Sequence, residues 1–318
     1  MANKRKLGLS DLEVSPITFG GNVFGWTLDE KASFAMLDAL VDGGYNFIDT
    51  ADVYSKWAPG NVGGESETII GKWLSDRGKR DEIILATKLG GEMAADKKGL
   101  KASYVKEAVE ASLQRLQTDY IDLYQTHYDD EQTPVGETME ALNKLIAEGK
   151  IRYIGASNYK PERIVESNEF ARKNDLHGYI SLQPLYNLYD RETFETEYLP
   201  LVQQENLAVL NYYALASGFL TGKYKSEEDL TKSQRGAGVK KYLNERGFKI
   251  LTALEEVAAN KKSTKAQISI AWLLHKPFIT APIASATNEK HLKDLLTAAD
   301  IELSPDEITL LDHASEWR

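Results

Sequence analysis

Short apolar runs of strand length alternate with segments of helical period about eight times along this chain of 318 residues. No other feature restricts the fold as much. The runs are Ile17–Gly21, Tyr45–Ala51, Ile83–Lys88, Tyr120–His127, Ile151–Asn158, Ile180–Tyr186, Leu207–Ala214 and Phe278–Ser285. Between them, apolar residues recur three and four apart, as in Phe34, Leu37, Leu40 and Val41, or Val105, Val109, Leu113 and Leu116. Continuous apolar strands separated by helices imply a parallel sheet with both faces covered. Eight such units in a chain of this length fit a closed (β/α)8 barrel. An open doubly wound sheet would carry a Gly-x-Gly-x-x-Gly turn after its first strand, and none is present.

Three segments fall outside the repeat. Lys4–Leu7 and Leu12–Val14 flank Gly8–Asp11 and are expected to form a hairpin ahead of the barrel. Thr221–Asn244 is long and polar and contains glycine, which suggests a functional loop rather than a linker. Ser304-Pro305-Asp306-Glu307 reads as an N-cap with proline at the first helical position, opening a terminal helix to about His313. No domain boundary is expected anywhere in 1–318.

Composition narrows the function. Without cysteine there are no disulfides, thiolate nucleophiles or Cys-ligated zinc, which suits a reducing cytoplasm. The net charge of -10 carries no basic stripe for nucleic acid, and Lys4-Arg5-Lys6 and Lys240-Lys241 read as solvated faces. No apolar stretch is long enough for a membrane helix. The start, Met1-Ala2-Asn3-Lys4-Arg5-Lys6, leads into Leu7-Gly8-Leu9-Ser10 rather than a signal core, so no secretory signal is expected.

Strand after strand ends in polar residues: Asp49-Thr50, Thr87-Lys88, Thr126-His127, Ser157-Asn158, Gln183, Asn211-Tyr212 and Ser285. Each has an ordinary structural explanation when taken singly. In a β/α barrel, however, the carboxyl ends of the strands converge on one mouth. The group resembles neither a metal site nor a Ser-His-Asp triad. It suits the tuning of a phenol. Lys88 beside Tyr54 would lower a pKa ordinarily near about 10, Asp49 would hold Lys88, and His127 would orient a carbonyl oxygen that Tyr54 protonates.

Gly44-Tyr45-Asn46-Phe47-Ile48-Asp49-Thr50-Ala51-Asp52-Val53-Tyr54 resembles the signature of the aldo-keto reductases, with Asp and Tyr five apart. Ala86-Thr87-Lys88 and Tyr120–His127 are similar to that family's lysine and histidine strands, and Gly149–Asn158, Gln183–Asn187 and Ala216–Tyr224 continue the likeness in order. It spans the chain as one TIM-barrel domain. The resemblance implies an enzyme that reduces aldehydes or ketones with NADP(H), NAD(H) remaining open, through the tetrad Asp49, Tyr54, Lys88 and His127. It implies that Ser157, Asn158 and Gln183 hold the nicotinamide carboxamide, that Tyr212 stacks on its ring, and that Leu215, Ser217, Gly218 and Lys223 fold over the pyrophosphate. Ser285 and Asp294 belong to the adenosine end.

Departures fall at that end. Thr287 stands where the family often has an arginine, and His291 where it has a glutamine, with Lys223 or Arg235 as substitutes for the missing charge. Ala214 replaces a frequent proline. Phe24, Trp26, Trp57 and Tyr128 are candidates for lining a pocket for apolar or aromatic carbonyl substrates. A monomer and a homo-oligomer are both open. Two other readings stand beside the leading one. One is a non-catalytic NADP(H)-binding regulatory subunit resembling potassium-channel β subunits. The other is an aldolase using Lys88 as a Schiff base, which requires a lysine without a fixed carboxylate partner.

Overall fold

The computed structural model describes residues 3–78 and 80–318. Met1 and Ala2, where the chain was read as lacking a signal core, lie outside the described residues. Eight parallel strands follow one another around a sheet: β3 (Thr18–Gly20), β4 (Phe47–Asp49), β5 (Ile84–Leu89), β6 (Ile121–Thr126), β7 (Ile151–Ser157), β8 (Ser181–Gln183), β9 (Ala208–Val209) and β10 (Ile283–Ala284), with β10 pairing back onto β3. The ring closes between its last two members, where Thr280 N–H donates to Val209 O and Ile283 N–H to Asn211 O, each at 2.9 Å. This is the expected barrel. Among the described residues, no helix is long and apolar enough to cross a membrane.

The lumen obeys the period of two that a strand imposes on its side chains. Phe47, Ile84, Ala86, Leu123, Ala208 and Leu210 fill its lower layer. One further step along the same faces come Asp49, Lys88, Gln125 and Tyr212. The sequence pattern thus turns from apolar to polar at one height in the barrel. The alternate residues, Ile48, Leu85, Tyr124, Ile154 and Leu182, join the larger core beneath the helices. Each polar pair at a strand end therefore splits. Lys88 enters the lumen, while Thr87 Oγ1 faces outward and donates to Glu67 at 2.6 Å.

The antiparallel hairpin β1 (Arg5–Lys6) and β2 (Glu13–Val14) caps the amino-terminal end. Leu7, Leu12 and Val14 extend the lumen's apolar layer. Gly8 makes that seating possible: its φ is +55°, and a Cβ there would lie 2.5 Å from the Ile180 carbonyl oxygen. At the other end of the chain, the terminal helix α10 (Pro305–Ala314) begins with the anticipated cap, Ser304 and Glu307 exchanging bonds as a capping box.

The segment expected to be a loop across 221–244 forms two 3₁₀ turns, Glu227–Lys232 and Gly236–Tyr242. This strap lies over the strained stretch that follows β9, where Gly238 faces the Ser217 hydroxyl.

Outside the lumen, α2 (Glu65–Arg77) and α3 (Ala102–Leu116) cover a buried polar seam. Glu67 is held by Arg115 at 2.7 Å and by Thr87. Asp52, shortly after β4, is 1% exposed, and neither of its carboxylate oxygens has a hydrogen-bond partner among the described residues. Burial, with the Glu67 charge adding to it, pushes the Asp52 carboxyl up to about 8. The folded chain therefore binds this proton more tightly than the unfolded chain, and the resulting stability is lost as pH rises through that value. Asp52→Asn should stabilise the protein by about 2–4 kcal/mol near pH 9 and change little near pH 4. Urea unfolding at the two pH values measures it, and equal effects at both would refute the assignment.

Candidate active site

Lys88 stands at the centre of the mouth and is fully buried. Its ammonium donates to Asp49 Oδ2 at 2.7 Å, to the Thr50 carbonyl at 2.8 Å and to Tyr54 Oη at 2.9 Å. An ammonium has three N–H groups, and all three are used. Burial alone would discharge it, but Asp49 and Tyr54 outweigh that effect and the Lys88 pKa is raised. Because Tyr54 accepts from Lys88, its own O–H remains available to a molecule in the mouth.

The acidity of Tyr54 differs from the sequence expectation. Lys88 does pull the phenol pKa down, but burial is larger and Asp49 adds to it, so the net value rises to about 12. The tyrosine stays protonated throughout the neutral range. The imidazole of His127 is held well below its usual pKa by burial and by the Lys88 charge. It is therefore neutral, and its ring centroid lies 6.0 Å from that of Tyr54.

Next to the tetrad is a polar cradle. Asn158 Nδ2 donates to the His127 carbonyl at 2.8 Å and to Ser157 Oγ at 3.1 Å, and its Oδ1 accepts from Tyr212 Oη at 3.0 Å. Ser157 donates to the Gln183 carbonyl at 2.9 Å. Gln183 Nε2 donates to Asp49 Oδ1 at 3.0 Å. The structure thus joins Ser157, Asn158, Gln183 and Tyr212 to the tetrad in one bonded network.

Beyond Tyr212 the backbone is strained. Tyr213, Ala216, Ser217 and Gly218 all take positive φ, at 54°, 48°, 57° and 93°. Successive left-handed residues after Leu215 gather amide groups into a concavity suited to an anion. Lys223 reaches this turn, its ammonium 3.6 Å from where a Gly218 Cβ would stand. Its charge also lowers the pKa of His291, after burial, against the opposing pull of Asp294. On the other side, Ser285 Oγ donates to Gly20 O at 2.8 Å. Asn22, with its amide turned to satisfy its neighbours, accepts from Arg235 at 3.0 Å and donates to Ser285. The half-buried Arg235 lies over the Trp26 ring at 5.5 Å and has no carboxylate partner among the described residues.

Trp26, Trp57 and Tyr128 lie about the Tyr54 phenol and the His127 imidazole. Trp57 meets Tyr54 edge-on at 5.9 Å and Trp26 at 5.6 Å, while Tyr128 stacks on His127 at 4.6 Å. Phe24 does not join them. It is fully buried, stacked on Phe19 in the core, because the short helical turn after β3 folds its ring inward; its carbonyl accepts from the buried Ser55 Oγ. Thr287 and His291 contact each other on the exposed start of α9 (Glu289–Ala298), away from the tetrad. Two participants escape sequence reasoning. Gln125 lies one strand step below His127, in what reads as an apolar run. Asn22 follows paired glycines, where nothing marks a side chain as bridging distant elements.

The residues of the mouth fit a nicotinamide dinucleotide. An amide-rich cradle meets an aromatic ring at one end, and a strained amide turn near Lys223 and Arg235, which have no carboxylate partner among the described residues, lies at the other. Comparison with known proteins agrees. Residues 16–316 match the profile of the Aldo/keto reductase family. The chain is 33% identical to the oxidoreductase YrpG of Bacillus subtilis over 96% of its own length and 94% of that protein. It is 35% identical to a probable voltage-gated potassium channel subunit beta of Oryza sativa, over 93% and 91% of the two chains. It is 34% identical to norsolorinic acid reductase of Aspergillus flavus, over 96% and 79%. With its fold, its tetrad and these relatives in agreement, this chain belongs to the aldo/keto reductase family.

Proposed function

We propose that the protein reduces aldehydes or ketones to alcohols, with NADPH as hydride donor and Tyr54 as general acid. The observation that carries this reading is the saturated Lys88 ammonium, which leaves the Tyr54 O–H free to donate. The bound nicotinamide would supply hydride to the carbonyl carbon. Tyr54 then gives its proton to the carbonyl oxygen, and the phenolate left behind is held by Lys88. His127, neutral, donates to the same oxygen and fixes its direction. Trp26, Trp57 and Tyr128 favour a substrate whose carbonyl is attached to an apolar or aromatic group.

Two alternatives fare differently. The fixed Asp49 partner of Lys88 argues against a Schiff-base lysine. The channel-subunit relatives keep a regulatory role in view, and co-purification with a membrane partner, together with negligible turnover on a panel of aldehydes and ketones, would favour it.

Tyr54→Phe should lower kcat by about 10²–10⁴-fold and leave NADPH binding nearly unchanged. Full turnover in this variant would overturn the mechanism. Lys88→Met leaves the buried Asp49 carboxylate without its cation and should cost about 3–5 kcal/mol in urea unfolding. A cost below about 1 kcal/mol would mean that Asp49 is not charged.

At the adenosine end, Lys223→Met and Arg235→Met should each weaken NADPH binding by about tenfold, the worth of a charge-assisted bond. Titration with NADPH and NADH identifies the reader of the 2′-phosphate as the residue whose loss spares NADH. Unchanged affinity in both variants would remove these cations from the site.

A further inference from the structure

We infer that Gln125 is a positioning residue that couples the Asp49–Lys88 pair to the cradle at Gln183. This rests on the reading of Tyr54 as proton donor and extends it to a side chain outside the tetrad. Gln125 is fully buried on β6 and lies beside Lys88 in the β5–β6 register. Its Nε2 donates to Asp49 Oδ1 at 3.0 Å, and its Oε1 accepts from Gln183 Nε2 at 3.2 Å. Gln183 Nε2 donates to the same Asp49 oxygen at 3.0 Å. The three side chains form a closed buried triangle.

The lumen is shaped to admit this amide. Its strand neighbour on β7 is Gly155, where a Cβ would collide with Ser181 Oγ and would also stand 3.2 Å from Gln125 Cγ. Immediately below, the same lumen is apolar, with Ala86 and Leu123. A leucine or methionine at 125 would satisfy packing, so the amide is explained by its bonds and not by its volume.

The division of bonds at Asp49 has a consequence. Oδ2 takes Lys88, while Oδ1 takes two amide donors. Each amide disperses part of the carboxylate charge that would otherwise offset the ammonium. Removing the Gln125 amide concentrates that charge on Lys88 and weakens the positive field at Tyr54, making the phenol a weaker acid. It also deprives the Gln183 amide of one acceptor and loosens its orientation in the cradle. One substitution should therefore reach both proton transfer and cofactor affinity.

Gln125→Met in the full chain tests this. NADPH affinity is read from the cofactor's own fluorescence, turnover from a pH series and folding from thermal unfolding. A folded variant is expected, with kcat down about tenfold, the Kd for NADPH up severalfold and the alkaline limb of the turnover profile moved to higher pH. Gln125→Glu is the second variant and decides the matter if the first fails to fold. Its protonated acid still donates to Asp49 and accepts from Gln183, so turnover should be preserved at low pH. Ionisation then sets two buried carboxylates against each other, and turnover should fall with rising pH where the parent protein is level. Parent-like kcat, Kd and pH profile in Gln125→Met, or a parent-like profile in Gln125→Glu, would overturn the inference. If Tyr54→Phe is inactive while the Gln125 variants are normal, only the positioning role fails. If Tyr54→Phe is active, the proton-donor reading fails, and the Kd of Gln125→Met still decides the link to the cradle.

Discussion

A lysine ammonium with no exposure to water holds this site together. Burying such a charge is unfavourable by many kcal/mol unless an opposite charge and hydrogen bonds replace its hydration. Asp49, the Thr50 carbonyl and Tyr54 together replace it, one for each N–H. Those partners come from β4 and the turn that follows it, while the lysine comes from β5. The pair therefore fixes the heights of two neighbouring strands, and the register Asp49–Ala86 sets the lysine two residues further on, at the mouth. Asp49 in turn needs donors on its second oxygen, and these come from β6 and β8. One buried cation thus organises side chains from half of the barrel.

The protonation states around it follow from burial as much as from charge. His127 is neutral because both its burial and Lys88 oppose a second positive charge. Tyr54 is protonated because burial exceeds the help that Lys88 gives its phenolate. A neutral imidazole and a neutral phenol, both able to donate, face the mouth beside a fixed ammonium. Both can therefore donate a hydrogen bond to an acceptor in the mouth. A cation that the barrel pattern sets beside a tyrosine says that the pKa is pulled down. It does not say how far the surroundings push the other way.

That difference marks how much was legible beforehand. The barrel could be read because its eight strands repeat one apolar pattern, and the tetrad because a strand's period of two places Asp49, Lys88 and His127 on one wall. The hairpin and the capped terminal helix were carried by local turn chemistry at Gly8 and Ser304. Phe24 was misplaced because a short helical turn after β3 reverses the direction its ring takes, and that turn has no periodic signature. Gln125 went unnoticed inside the run Ile121–Thr126 because a buried amide has no pattern of its own. Its meaning depends on partners 58 and 76 residues away in the chain. Arg235 was named only as a substitute charge, and its seat against Asn22 and Trp26 is a property of the folded strap.

The strap and the strained turn show the same logic at the opposite end of the mouth. Three successive positive φ values at Ala216, Ser217 and Gly218, two of them outside glycine, are unfavourable for the backbone. A half-buried guanidinium without a carboxylate is unfavourable as well. Neither improves the core, and the strap could cover the turn without them. An anion is the kind of group that would offset both, by accepting from converging amides and by balancing a guanidinium. The barrel's stability is thus invested unevenly: its apolar lower layer and buried ion pair are complete as folded, while the rim holds unmet polar capacity.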